Sequence, residues 1–295
     1  MTGQGGQQGG TSPEHAVGRY LEPMRRAIRA GLARLPAPLA EFVLFGLKQA
    51  WACLFAAIML TLLIGTKLVW DPAWPIQRYD ALFVAALVVQ VAMLAFRMES
   101  VDELKVILVY HVVGTIMEIF KTRMGSWSYP EAALIRIEGV PLFTGFMYGC
   151  VGSYMARAIR IFDMRFTHYP PLWATALLAA AIYANFFAHH FFVDLRWVLF
   201  AWTFLLFWRV RIYFTTDRRP LWMPLLVAAF LTACFLWIAE NVGTITGTWL
   251  YPGQHGAWKP VSFSKLGSWY LLLVISFVLV TLVNRPKPPD AVARV

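Results

Sequence analysis

The stretch KLGSWYLLLVISFVLVTLVN (265–284) carries a charge on its first residue and none on the nineteen that follow. As a helix it measures about 30 Å, the thickness of the hydrocarbon core of a bilayer. Seven other runs read the same way, at approximately 42–65, 80–98, 104–121, 141–161, 171–191, 195–213 and 221–241. The 295-residue chain is 59% hydrophobic and 14% charged, with a mean hydropathy of +0.58. A water-soluble domain carries about 25% charged residues. One soluble domain could not hide so much apolar surface, which excludes a water-soluble globular enzyme. The expected fold is all-α: a polytopic transmembrane helix bundle of about eight spans, or seven if the short third or sixth run does not cross.

Outside these runs the chain is polar. Residues 1–13 (MTGQGGQQGGTSP) are Gly/Gln-rich and expected to be disordered, without the apolar core of a signal peptide. Met24, Ile28, Leu32 and Leu35 then form a short apolar stripe among Arg25, Arg26, Arg29 and Arg34. It reads either as a helix lying on the membrane surface or as a partly ordered linker. The expected organisation is a tail and basic interfacial helix over 1–40, the bundle over 41–285 and a flexible tail over 286–295. The net charge is +10, but no stretch interleaves basic and aromatic residues, so no nucleic-acid partner is expected. With both termini inside, the inner segments hold seventeen Lys and Arg and the outer loops eight. That asymmetry predicts a multi-pass protein of the bacterial cytoplasmic membrane with cytoplasmic N- and C-termini. Cys53, Cys150 and Cys234 sit in apolar runs without metal-site or disulfide spacing and read as small buried hydrophobes.

One thirteen-residue unit occurs twice. Glu118-Ile-Phe-Lys-Thr122-Arg-Met-Gly125-Ser-Trp127-Ser-Tyr129-Pro130 aligns without a gap on Glu240-Asn-Val-Gly-Thr244-Ile-Thr-Gly247-Thr-Trp249-Leu-Tyr251-Pro252, with six identities. Each copy is followed by a short loop containing a further proline (Pro141, Pro260) and another apolar run. An even number of spans separates the copies, so the pattern predicts two parallel four-helix halves, roughly 41–165 and 166–285. Gly125 and Gly247 suit left-handed helix C-caps. Trp127, Tyr129, Trp249 and Tyr251 suit either an interfacial aromatic belt or the mouth of a site. Neither role explains an acid carried into a membrane helix, which is costly and a functional candidate by default. The alternative for Glu118 and Glu240 is a structural ion pair or a helix–helix hydrogen bond.

Helix rise turns position into depth. Glu118 lies about 21 Å above the inner end of its run, and Glu240, His189 and His190 lie about 27–28 Å up. These four are the candidate catalytic residues. His111, Thr115, Glu118 and Thr122 form one polar stripe on the third run, and Asn185 shares the face of His189, with Asp194 a turn beyond. Thr144, Tyr148, Ser264, Ser268 and Trp269 enter from the outer side. The expectation is one polar pocket in the outer half of the bilayer. Its expected substrate-binding residues are His111, Thr122, Trp127, Tyr129, Thr144, Tyr148, Asn185, Asn241, Thr244, Trp249 and Tyr251. Lys48, Gln49, Gln90, Arg97, Glu99 and Asp102 form a second polar group toward the inner side, read as snorkelling and inter-helix hydrogen bonding.

No metal or other cofactor is expected. The Glu-x-x-His pairing of four-helix carboxylate sites is absent, six histidines are too few for a membrane desaturase, and His111 is too far in depth from His189 to share a haem. No Walker A loop, GxGxxG or GxSxG occurs.

FGLKQAWACLF (45–55), EIFKTRMGSWSYPE (118–131), GVPLFTGFMYGCVGSYMARA (139–158) and ENVGTITGTWLYPGQ (240–254) together resemble the YoaT-like bacterial integral membrane family, a domain of unknown function (family 817). The resemblance covers nearly all of 42–284. More remotely, the Glu, Gly-rich, aromatic and Gly-Val-Pro-Leu elements are similar to those of membrane lycopene cyclases and carotenoid hydratases. That likeness implies a helical membrane enzyme acting on isoprenoids by acid chemistry. The main reading is an intramembrane enzyme: Glu118 or Glu240 protonates a lipid-soluble substrate from the outer leaflet, and the other acid or His189 restores the proton balance. A small-solute or proton-coupled transporter or binding protein, and a structural or assembly protein, are the alternatives. Membrane lipid is the expected partner.

Overall fold

The computed structural model describes residue 27 and residues 30–217, 220–254 and 256–289. The Gly/Gln-rich segment and most of the basic stripe lie outside the described residues, as do 290–295. Nine helices lie wholly within the described residues: α1 (Ala37–Ala52), α2 (Leu54–Val69), α3 (Arg78–Ala95), α4 (Val101–Arg123), α5 (Phe143–Ile161), α6 (Leu172–Ala188), α7 (Arg196–Phe207), α8 (Leu225–Ile245) and α9 (Ser264–Val283). Three of them, α3, α8 and α9, are each long and apolar enough to cross a membrane, and α1 with α2 makes a fourth candidate span bent by 67° at Cys53. Leu68, Phe235 and Trp197 are each more than 70% exposed, and many other large apolar side chains also face outward. In water such a surface would aggregate; in lipid it is the expected exterior.

The fold departs from a purely helical bundle. The sixth apolar run ends early: α7 has twelve residues, about 18 Å of helix. The chain beyond it becomes β4 (Arg211–Thr215), paired antiparallel with β3 (Arg165–Thr167) and β5 (Pro220–Pro224) in a three-stranded sheet. Arg211-Ile-Tyr-Phe-Thr alternates, with Ile212 and Phe214 buried, as a strand with one covered face does. A two-residue hairpin, β1 (Arg136–Ile137) with β2 (Val140–Pro141), precedes α5. The C-terminal segment expected to be loose is tied down in part, since the Lys287 carbonyl accepts from the Phe166 amide at 2.8 Å.

Helix α4 shows how sequence sets an element. Ser100 caps its start and accepts from the Glu103 amide, while the Glu103 side chain accepts from the Ser100 amide. It ends where Gly125 turns left-handed (φ 68°), with Ser126 N donating to Lys121 O and Gly125 N to Thr122 O. That is a Schellman closure. Helix α8 ends identically: Gly247 has φ 65°, Thr248 N donates to Gly243 O and Gly247 N to Thr244 O. Helices α4 and α5 pack backbone to side chain. A Cβ on Gly114 would fall 2.6 Å from the Tyr148 ring, and one on Gly145 would fall 2.3 Å from His111. Small residues at such a seam let membrane helices approach closely.

The sheet end of the bundle buries a second polar layer. Glu99 accepts from Ser153 Oγ at 2.6 Å and from Gln90 Nε2. Arg157, fully buried, lies 3.9 Å from Glu99 with all three guanidinium nitrogens unbonded among the described residues. Removing either charge alone leaves the other buried and uncompensated, at a cost of about 3 kcal/mol or more. The double variant Glu99→Gln/Arg157→Met is therefore expected to be more stable than either single variant, measured by thermal denaturation in detergent. Additive losses would overturn that coupling.

Candidate functional site

The two C-caps turn the chain back over the helices they end. That return places an indole nine residues, and a phenol eleven residues, after each glutamate. Glu118 Oε2 accepts from Trp127 Nε1 at 2.7 Å and from the Tyr129 hydroxyl at 2.6 Å, and Oε1 accepts from the Tyr148 hydroxyl at 2.7 Å. Glu240 Oε1 accepts from Trp249 Nε1 at 2.7 Å and from the Tyr251 hydroxyl at 2.8 Å. Both glutamates are buried. Burial, then the Glu118 carboxylate, holds the Tyr129 phenol well above its ordinary range; burial and Glu240 do the same to Tyr251. Both phenols therefore remain donors.

The two returns are joined. Ser128 and Leu250 form an antiparallel bridge, with amide-to-carbonyl distances of 2.9 and 3.0 Å, and the Trp127 and Tyr251 rings meet edge-on at 6.2 Å. Beneath them is one cavity of about 100 Å³, lined by both glutamates, the four motif aromatics, Thr144, Tyr148 and Trp269. Its remaining wall is Met147, Val151, Leu236 and Ala239. Val151 lies one turn past Met147 on α5, and Leu236 one turn before Glu240 on α8, so the cavity is polar at the loop end and apolar deeper in.

Other candidates lie elsewhere. His111 is packed in the α4–α5 seam against Gly145 and Phe146, its Nδ1 without a partner among the described residues. The Thr122 hydroxyl is also buried and, among the described residues, unpaired. Neither lines the cavity. Asn241 Oδ1 accepts from the Val261 amide and Thr244 Oγ1 from Trp258 Nε1, so both staple the following loop. Asn185 and His189 line a neighbouring cavity, where Asn185 holds Asp194 and the Leu195 amide. His189 and His190 contact Lys121, at 3.4 and 3.0 Å, and neither bonds a glutamate. Burial first, and then the charge of Lys121, keep the His190 imidazole below its ordinary value. Among the described residues no cluster of three or more His, Cys, Asp or Glu is placed to hold a metal ion.

Sequence reasoning missed the scaffold behind the motif. Arg78, only 3% exposed, donates from Nε to Glu131 at 2.7 Å and from Nη2 to Thr248 at 3.3 Å, and the Tyr79 hydroxyl donates to Thr248 O at 2.8 Å. Asp80 accepts from the Leu134 and Ile135 amides. Arg78 and Asp80 at the start of an apolar run were the available signal.

A family model described as "Protein of unknown function (DUF817)" matches residues 41–277, most of the chain. The protein belongs to the DUF817 family. The uncharacterized protein YoaT of Bacillus subtilis (strain 168) is 40% identical to this DUF817 protein over 247 residues, 84% of this chain and 93% of YoaT. Two crystal structures of MvINS, the Insig homolog of Mycobacterium vanbaalenii, align at a TM-score of 0.45; one of them is of a cross-linked trimer. They share 15% and 16% sequence identity with the chain, and cover 65% and 64% of it and 98% of MvINS.

Proposed function

We propose that this DUF817 protein is an intramembrane enzyme in which Glu240 exchanges a proton with an unsaturated, lipid-soluble substrate. The observation that carries the reading is an asymmetry between the acids. Both oxygens of Glu118 accept hydrogen bonds, whereas both bonds to Glu240 fall on Oε1 and its Oε2 has no protein partner among the described residues. Glu118 is then a fixed hydrogen-bond acceptor. Glu240 Oε2 is the atom free to act as acid and base. In the proposed step, Oε2–H protonates a carbon–carbon double bond and leaves a carboxylate. The substrate cation, facing the indole and phenol rings, then loses a neighbouring proton to that carboxylate. The net change is an isomerisation. The apolar lower wall supports an isoprenoid-like chain, entering from one leaflet.

Two further elements complete the reading. The matching Glu-Trp-Tyr units support two duplicated halves, and the Lys and Arg asymmetry supports a cytoplasmic-membrane protein with both termini inside. A second reading, proton-coupled transport, is favoured by one observation, the buried Glu99–Arg157 layer at the far end of α4 and α5. The discriminating experiment compares lipid extracts, by mass spectrometry, from cells carrying wild type, Glu240→Gln or a deletion. Glu240→Gln is expected to lower turnover by about 10²-fold or more while the protein remains folded. Identical extracts from all three strains would overturn the enzyme reading, and proton flux in proteoliposomes would then favour transport.

A further inference from the structure

Beside the acid cavity lies a second one, also of about 100 Å³, sharing the walls formed by Trp127, Tyr148, Tyr251 and Trp269. Its charged lining is wholly basic among the described residues: Lys121, Arg196 and Lys265, beside His189. Lys121 is 3% exposed. Its ammonium has as neighbours the Nε2 atoms of His190 and His189 and the face of Phe186 at 4.2 Å. The His189 Nδ1–H donates to Asn185 O at 3.0 Å, and its Nε2 is the ring atom that faces Lys121. Lys265 rests over the Tyr251 ring at 4.4 Å. Neither lysine makes an ion pair with a carboxylate among the described residues; only Arg196 does, with Asp194 at 3.2 Å.

A buried ammonium with no carboxylate in contact is costly, and an anion delivered to it removes most of that cost. We infer that this basic cavity is an anion site that takes a phosphate or carboxylate group at the membrane boundary, with Lys121 and Lys265 as its principal contacts. That volume holds several waters, enough for such a group. The anion arrives either as the head of a lipid or free from water. The inference does not require chemistry at Glu240, because it concerns binding in the adjoining cavity.

The test uses the full-length protein in a neutral detergent. Native mass spectrometry follows binding of dioleoyl phosphatidic acid, oleate and dioleoyl phosphatidylcholine, with inorganic phosphate as competitor. Phosphatidic acid or oleate is expected to bind wild type at least tenfold more tightly than phosphatidylcholine. Lys121→Met and Lys265→Met should each lose at least tenfold, whereas Lys105→Met, at an exposed lysine paired with Asp102, should lose nothing. Full competition by inorganic phosphate assigns the site to a free anion, and its failure to compete assigns it to a lipid head; both support an anion site. If Lys121→Met does not fold, Lys265→Met decides. Unchanged binding in the folded lysine variants, or no preference for anionic lipid in wild type, overturns the inference.

Discussion

Glu118→Ala is expected to destabilise the purified protein by about 3 kcal/mol, a large fraction of the stability of an ordinary domain. The cost arises from the groups left behind. Trp127 Nε1–H, the Tyr129 hydroxyl and the Tyr148 hydroxyl all donate to this one carboxyl, and Tyr148 reaches it from a different helix. Removing the acceptor strands three buried donors at about 1 kcal/mol each or more. Glu118→Gln keeps one good acceptor oxygen and turns an amide N–H2 toward a donor, so its expected loss is only about 1 kcal/mol. Thermal denaturation in detergent distinguishes the two outcomes. Equal, small losses for Ala and Gln would mean that the donors find other partners when the carboxyl is gone, and that Glu118 does not organise the motif.

Gly243→Ala is expected to be as severe, for a steric reason. A Cβ built there would lie 2.0 Å from the Trp249 ring, which is itself held by Glu240. The ring has no free end that can swing away, so either the helix shifts or the indole leaves its carboxylate. Overpacking of this kind costs about 1–3 kcal/mol, and the displaced indole bond adds about 1 kcal/mol. Gly65→Ala is the control. Gly65 lies inside α2 with nothing within 4 Å of the new methyl, so this substitution should stabilise by roughly 0.5–1 kcal/mol through helix propensity alone. A Gly243→Ala protein as stable as wild type would show that Trp249 is loosely held, contrary to its position here.

The helices were legible because a bilayer needs a length of uninterrupted apolar chain, and that length is written residue by residue in 265–284, while the run expected over 221–241 is strand β5 up to Pro224 and helix α8 from Leu225. The break at Cys53 was not, since neither proline nor glycine marks it and the apolar run continues through. Strand β4 was hidden by the run before it: Ile212 and Phe214 extend the oily stretch that begins at 195, and only their alternation with Arg211 and Tyr213 distinguishes strand from helix over five residues. At the site, depth along the helix put Glu118 and Glu240 in the same half of the bilayer, about 7 Å apart in height, and one cavity holds both. Depth says nothing about rotation. His189 and His190 lie at a similar level but turn toward Lys121, and His111 turns into the seam with α5. Lys121 itself, three residues after Glu118 and inside the same helix, is a cation carried into oil.

The paired amides and carbonyls of Ser128 and Leu250 fasten the two motif returns into a single roof. A roof made in one piece does not part along its ridge. If the proposed lipid-soluble substrate reaches the chamber between helices beneath this roof, its rate of entry should respond to the composition of the surrounding leaflet before it responds to anything dissolved above it.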